Sequence, residues 1–111
     1  MNIEKLLKRM ADLDASDLHL KAGRKPFFRI KTVLKELSDE EILSAEEIEQ
    51  YAFSLMNDRQ KAFFLEHMEM DLATEKPDVG RFRVNIFRQR GNAGIVMRRI
   101  KSAIPSFEEL G

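Results

Sequence analysis

The stretch GRFRVNIFRQRGNAGIVMRRI, Gly80 to Ile100, reads as two strands, Arg81 to Arg90 and Gly94 to Lys101, with Gly91 and Asn92 between them. Adjacent apolar-rich strands separated by a glycine turn signal make a hairpin, so the sheet of this protein is antiparallel at least here. Arg81 and Arg83 alternate with Phe82 and Val84, which puts the two guanidinium groups on one sheet face. Arg98 or Arg99 shares that face if the strands pair. Six arginines in such a segment raise the question of what they neutralise.

The rest of the chain carries compensating charge. Across 111 residues, 19 basic and 19 acidic residues give a formal net charge of +0. The sorting is local: Arg81 to Lys101 holds seven basic residues and no acidic one, whereas Asp39 to Gln50 holds Asp39, Glu40, Glu41, Glu46, Glu47 and Glu49 and no basic one. This segregation points to a local anion site and away from a nucleic-acid-coating surface. At this length, with 43% hydrophobic residues, one domain with a modest core is expected. Cysteine is absent, which excludes disulfides, thiolate metal sites and cysteine nucleophiles. No apolar run approaches the roughly 20 residues of a membrane span, so a soluble, cytoplasmic protein is expected.

Outward from the hairpin, EMDLATEKPDVG reads as a strand closed by a Pro/Gly turn. Ile3, Leu6, Leu7, Met10 and Leu13 form one face of an opening helix that Asn2 can cap and that stops near Asp14. Leu18 and Leu20 alternate with Asp17 and His19 on a strand, and a second strand runs from Phe27 to about Leu37. Ser44 with Glu47, and Asn57 with Gln60, open two further helices; the inner face of the last is Phe63, Phe64 and His67. The expected fold is α+β, in the order α-β-β-α-α-β-β-β, with an antiparallel sheet of about five to six strands and helices to one side.

Few residues offer chemistry. His19 lies between apolar neighbours with no second ligand at metal spacing, so it reads as a structural histidine; a local pair with Asp17 makes no triad without a nucleophile. No metal site is expected. The six methionines and the Phe63-Phe64 pair read as core, and the acidic run as a solvated face suited to a helix N-terminus. Arg88, Arg90 and Lys101 read as solvated charges that deter edge association. Arg81, Arg83 and Arg98 read as an anion site, because like charges gathered across a sheet repel unless a phosphate or carboxylate neutralises them.

These residues resemble a known family. ASDLHLKAG with the following Pro26 and FRI, MNDRQ before the third helix, EMD at Glu69 to Asp71, RFRVNIFRQR, VMRRI and PSFEELG together resemble the N-terminal domain of the type IV pilus retraction ATPase family (PilT, twitching motility), of the type II/IV secretion ATPase superfamily. One departure is Lys31-Thr32-Val33, where the family usually has an Asp-Gly turn after the RI of the second strand, and it leaves the hairpin geometry there open. No GxxxxGK[ST] phosphate loop occurs in the chain.

The resemblance implies a PAS-like domain over residues 1–101 and, over 102–111, the start of a linker to an absent RecA-like ATPase domain. It further implies ATP with Mg²⁺ in the cleft between the domains, six subunits in a ring, and an inner-membrane platform protein of the pilus machine as partner. The family's phosphate-contacting arginines match Arg83 and Arg98, as candidate arginine fingers, with Arg81 as a third contact to the ATP phosphates. Without a phosphate loop the segment is not catalytic alone and is not expected to hold nucleotide tightly. It would lie in the cytoplasm, peripheral to the inner membrane, with no membrane insertion and no nucleic acid. Two other readings stay open: a free-standing PAS-like adaptor whose arginines bind a small anion or an acidic patch on a protein, and a single-stranded nucleic-acid-binding domain in which Phe82 and Phe87 stack on bases beside the arginines.

Overall fold

In a computed structural model, which describes residues 1–100, the elements run α1 (Ile3–Asp12), β1 (Asp17–Lys21), β2 (Phe27–Ile30), β3 (Val33–Glu36), α2 (Ala45–Ser54), α3 (Asp58–His67), β4 (Glu69–Lys76), β5 (Gly80–Gln89) and β6 (Asn92–Ile100). Lys101 and the linker expected over 102–111 lie outside the described residues. The architecture is the α+β one expected, with six antiparallel strands in the order β3-β2-β1-β6-β5-β4. The first and last strands therefore meet at the centre of the sheet.

Alternation along the strands separates two faces. Leu18, Leu20, Val84, Ile86, Ile95 and Met97 are buried on one of them, against Leu6, Leu7 and Met10 of α1, Ile48 and Ala52 of α2 and Phe64 of α3. Tyr51 joins α2 to the sheet: its hydroxyl donates to the Met97 Sδ at 3.8 Å, and burial pushes its pKa up to about 12. The opposite face carries Asp17, His19, Arg29, Arg81, Arg83 and Arg98, and no described helix covers it.

The local signals explain the helix starts. Asn2 Oδ1 accepts from the Lys5 amide at 3.1 Å, and both expected capping boxes form, Ser44 with Glu47 and Asn57 with Gln60. α1 ends at Asp12, capped by Leu13. The turn of the Arg-bearing hairpin is Arg90-Gly91, one residue earlier than the sequence suggests, and both have positive φ, 54° and 82°. Two such residues give the two-residue turn whose twist matches the strands. Gly94 has a different reason to be glycine: the Phe87 ring lies across it, with carbons 2.6 Å from where a Cβ would stand.

Two sequence expectations give way. The strand read from Phe27 to Leu37 is folded into the β2–β3 hairpin, with Ile30 opposite Val33. Lys31 and Thr32 form its turn at φ 50° and 69°, taking the left-handed conformation that the usual Asp-Gly accommodates without strain. The inner face of α3 is Phe64 alone; Phe63 is 47% exposed and stacks on His67 with ring centroids 4.0 Å apart. A ten-residue helix packed at the edge of the sheet buries one narrow stripe, and Phe63 falls beside it.

Candidate anion-binding site

Register builds the site. The pairings place Arg29 (β2), Asp17 (β1), Arg98 (β6), Arg83 (β5) and Ala73 (β4) in one row across the sheet. Arg83 and Arg98 are thus direct cross-strand partners, an arrangement in which two like charges repel. Both point to the open face and both are exposed.

Asp17 relieves the repulsion on one side. It is buried, 4% exposed, and its two carboxylate oxygens accept from different arginines: Oδ1 from Arg98 Nε at 3.1 Å and Oδ2 from Arg29 Nε at 3.3 Å. Arg29 Nη1 also donates to the Thr32 carbonyl at 3.3 Å, tying the β2–β3 turn to the row. Among the described residues nothing else bonds the Arg98 side chain, which stays 69% exposed, and Arg83 has no hydrogen-bond or ion-pair partner. The row therefore holds three guanidinium groups and one internal carboxylate, which two of them reach.

A depression of about 220 Å³ adjoins the row, lined by Arg83, Arg98, Asp71, Val84, Asn85 and Val96. That is below the roughly 300–1,000 Å³ of a pocket that encloses a small molecule. It suits a group of phosphate size whose remainder is held by another surface. Asn85 stiffens the rim, its Nδ2 donating to Asp71 Oδ1 at 2.9 Å and Glu69 Oε1 at 3.0 Å. Those two acids are occupied by an amide, and no group of three metal-ligating side chains occurs among the described residues.

Of the residues singled out from sequence, Arg83 and Arg98 are brought together, while Arg81 shares their face two residues along, across from Glu75 and outside the depression. Arg99 takes the other face, donating to the Ala11 carbonyl at 3.3 Å and pairing with Asp14 at the end of α1. Arg88 is no solvated charge. Its side chain is 21% exposed, Nη2 donates to Glu49 Oε1 at 2.8 Å, Nη1 donates to the Gly91 carbonyl at 2.9 Å, and its guanidinium lies 5.4 Å from the Phe64 ring centroid. Nor is the acidic run simply solvated, since Arg9 Nη1 reaches Glu40 at 2.7 Å and Asp39 at 3.2 Å, bracing α1. Even numbering along β5 sends Arg88 under the helices with Phe82 and Val84, which composition alone does not reveal. Phe82 is fully buried and has no face to offer a base.

Asp17 and Arg29 are the residues that sequence reasoning missed. ASDLHL and FRI contain them, but only the strand register shows that they share a row with Arg98. The pairing considered between Asp17 and His19 does not form: both Asp17 oxygens go to arginines, and His19 Nε2 is buried with no hydrogen-bond partner among the described residues. Burial lowers the His19 pKa, with Arg29, Lys21 and Arg98 acting the same way and Asp17 opposing them.

The comparisons give these features a class. No protein-family model matches the chain. Over all 111 residues it is 40% identical to the type IV pilus retraction ATPase PilT of Pseudomonas aeruginosa, covering 100% of this chain and 32% of that protein. It is 36% identical to the type IV pilus ATPase PilU of the same organism, covering 99% of this chain and 28% of the relative. The crystal structure of the pilus retraction motor PilT with bound ADP superposes with a TM-score of 0.87 at 33% identity, over 100% of this chain and 32% of that one. The Legionella pneumophila ATPase DotB shares the fold, with a TM-score of 0.76 at 22% identity over 96% of this chain and 30% of its own. The molecule is thus an α+β domain of the kind found in type IV pilus ATPases. More particularly, it belongs with the PilT-like type IV pilus ATPases, as the counterpart of their N-terminal domain. It spans about a third of the length of these relatives.

Proposed function

We propose that this domain works in front of a P-loop domain in a hexameric pilus-retraction motor, where Arg83 and Arg98 reach the phosphates of ATP held between the two. Arg81 is a third, outer contact. The observation that carries the reading is the direct cross-strand pairing of Arg83 and Arg98 on a sheet face that no described helix covers, beside a phosphate-sized depression. A bidentate guanidinium fork suits phosphate oxygens, and an arginine that meets charge developing in phosphoryl transfer can raise the rate by about 10³ to 10⁵. Support also comes from the relative solved with ADP.

In this reading residues 1–101 form the N-terminal domain and 102–111 begin the linker. Mg²⁺ comes with the nucleotide and the P-loop side. The domain contributes arginines, ring contacts with neighbouring subunits and a rigid body that moves with turnover. The assembled motor sits in the cytoplasm against an inner-membrane platform protein; no described helix is long and apolar enough to cross a membrane. The architecture is tested by reading the encoding gene past Gly111. A GxxxxGK[ST] loop after the linker is expected, and a stop codon there would return the chain to a free-standing anion-binding module.

A further inference from the structure

Asp17 presents a paradox if Arg83 and Arg98 hold a phosphate: a carboxylate in the same row weakens the attraction for any anion. We propose that Asp17 is a positioning residue, which grips Arg98 through Nε so that both terminal nitrogens of its guanidinium face the anion. The proposal rests on the phosphate-site reading of Arg83 and Arg98. It concerns how that site is pre-formed.

The geometry supports a clamp more than a neutraliser. Asp17 is buried while Arg98 remains 69% exposed, so the carboxylate is the fixed member of the pair. Its strand is held on both sides just before it: the Ser16 amide donates to the Arg29 carbonyl at 2.8 Å, and the Arg99 amide donates to the Ser16 carbonyl at 2.9 Å. Both contacts to Asp17 use Nε, leaving the terminal Nη groups of Arg98 unbonded among the described residues. Arg29, on the far side, offsets the Asp17 charge, so the row keeps the full positive charge of Arg98 and Arg83. Without the clamp, Arg98 would swing away from Arg83, its direct partner, by repulsion and rotamer freedom. A side chain held in its bound orientation loses less entropy on binding.

Clamp and neutraliser predict opposite signs, so pyrophosphate titrations of the chain by NMR separate them. Asp17→Asn removes the one negative charge from the row; a neutraliser predicts tighter binding and a clamp predicts weaker. Asp17→Glu keeps the charge and displaces the grip, so it isolates orientation. We expect both to weaken pyrophosphate binding about tenfold, the lower end of what losing an outer partner does to a ligand-holding side chain. Unchanged or tighter binding in Asp17→Glu, with Arg98→Ala still losing binding, overturns the clamp and leaves the phosphate site standing. The isolated chain is expected to bind pyrophosphate weakly, so binding unaffected by Arg83→Ala and Arg98→Ala, or absent from the wild-type chain even at millimolar pyrophosphate, overturns the site and the clamp together. A wild-type measurement covers the case in which the Asp17 variants do not fold. The Arg98 Nε–H resonance should be protected from exchange and stay so as pyrophosphate is added, while the Nη resonances shift. Loss of that protection on binding would mean the anion pulls Arg98 off Asp17, contrary to the proposal.

Discussion

Arg81 and Arg88 lie on the same strand and face opposite ways, and this decides what each contributes. Arg88 spans from Glu49 to Gly91 with its guanidinium near Phe64. A partly exposed ion pair and a cation–π contact are each worth under about 1 kcal/mol, so Arg88→Ala should cost about 1–2 kcal/mol in urea unfolding. Arg81→Ala, on an exposed position, should stay within about 0.5 kcal/mol. Equal effects would place Arg88 back in solvent. His19 gives a pH signature. Its folded pKa is depressed by burial, so the unfolded state binds the proton more readily; the His19 contribution is complete above the unfolded value near 6.5 and fades as pH falls toward the folded one. Denaturation midpoints between pH 7.5 and 5.5 should therefore fall with acidity, and fall less in His19→Gln. An equal slope in both proteins would assign the loss to other groups.

At the scale of elements, the β2–β3 turn and the acidic run show where local signals suffice and where they do not. The capping boxes at Ser44 and Asn57 were legible because every participant lies within three residues. The β2–β3 hairpin was not, because Lys31-Thr32 carries no turn chemistry; tertiary pairing imposes the left-handed pair against its preference. Thr32→Gly should accordingly stabilise the domain by about 0.5–1 kcal/mol, relief of left-handed strain outweighing the added backbone entropy of glycine. Destabilisation would show that the threonine side chain contributes more than the strain costs. Glu40 and Glu41 read alike in sequence, yet only Glu40 meets Arg9, at 2.7 Å. Glu40→Gln should cost about 1 kcal/mol, and Glu41→Gln almost nothing. The arginine cluster was legible from period-two alternation on β5. Its anchors were not, because Asp17 reaches Arg98 across 81 residues of chain, through a register that no local signal encodes.

On the scale of the whole molecule, the described helices cover one face of the sheet, and the other carries the row Arg29, Asp17, Arg98 and Arg83 with Asn85 and Asp71 beside it. In the proposed function this face meets the phosphates of ATP, and a P-loop domain supplies the rest of the site. There Arg83 and Arg98 act on ATP phosphates in the larger motor. The most direct measurement is steady-state ATP turnover by the full-length protein that joins this domain to a P-loop domain, comparing Arg83→Ala, Arg98→Ala and Arg98→Lys with Lys35→Ala on the exposed edge strand as control. Native-like folding and ring assembly are expected in every variant, with turnover reduced about 10³-fold or more in the two alanine variants. Arg98→Lys should recover only part of it, since an ammonium keeps the charge and loses the planar fork, and Lys35→Ala should match wild type. Turnover near the wild-type rate in both Arg83→Ala and Arg98→Ala, with assembly intact, would contradict it.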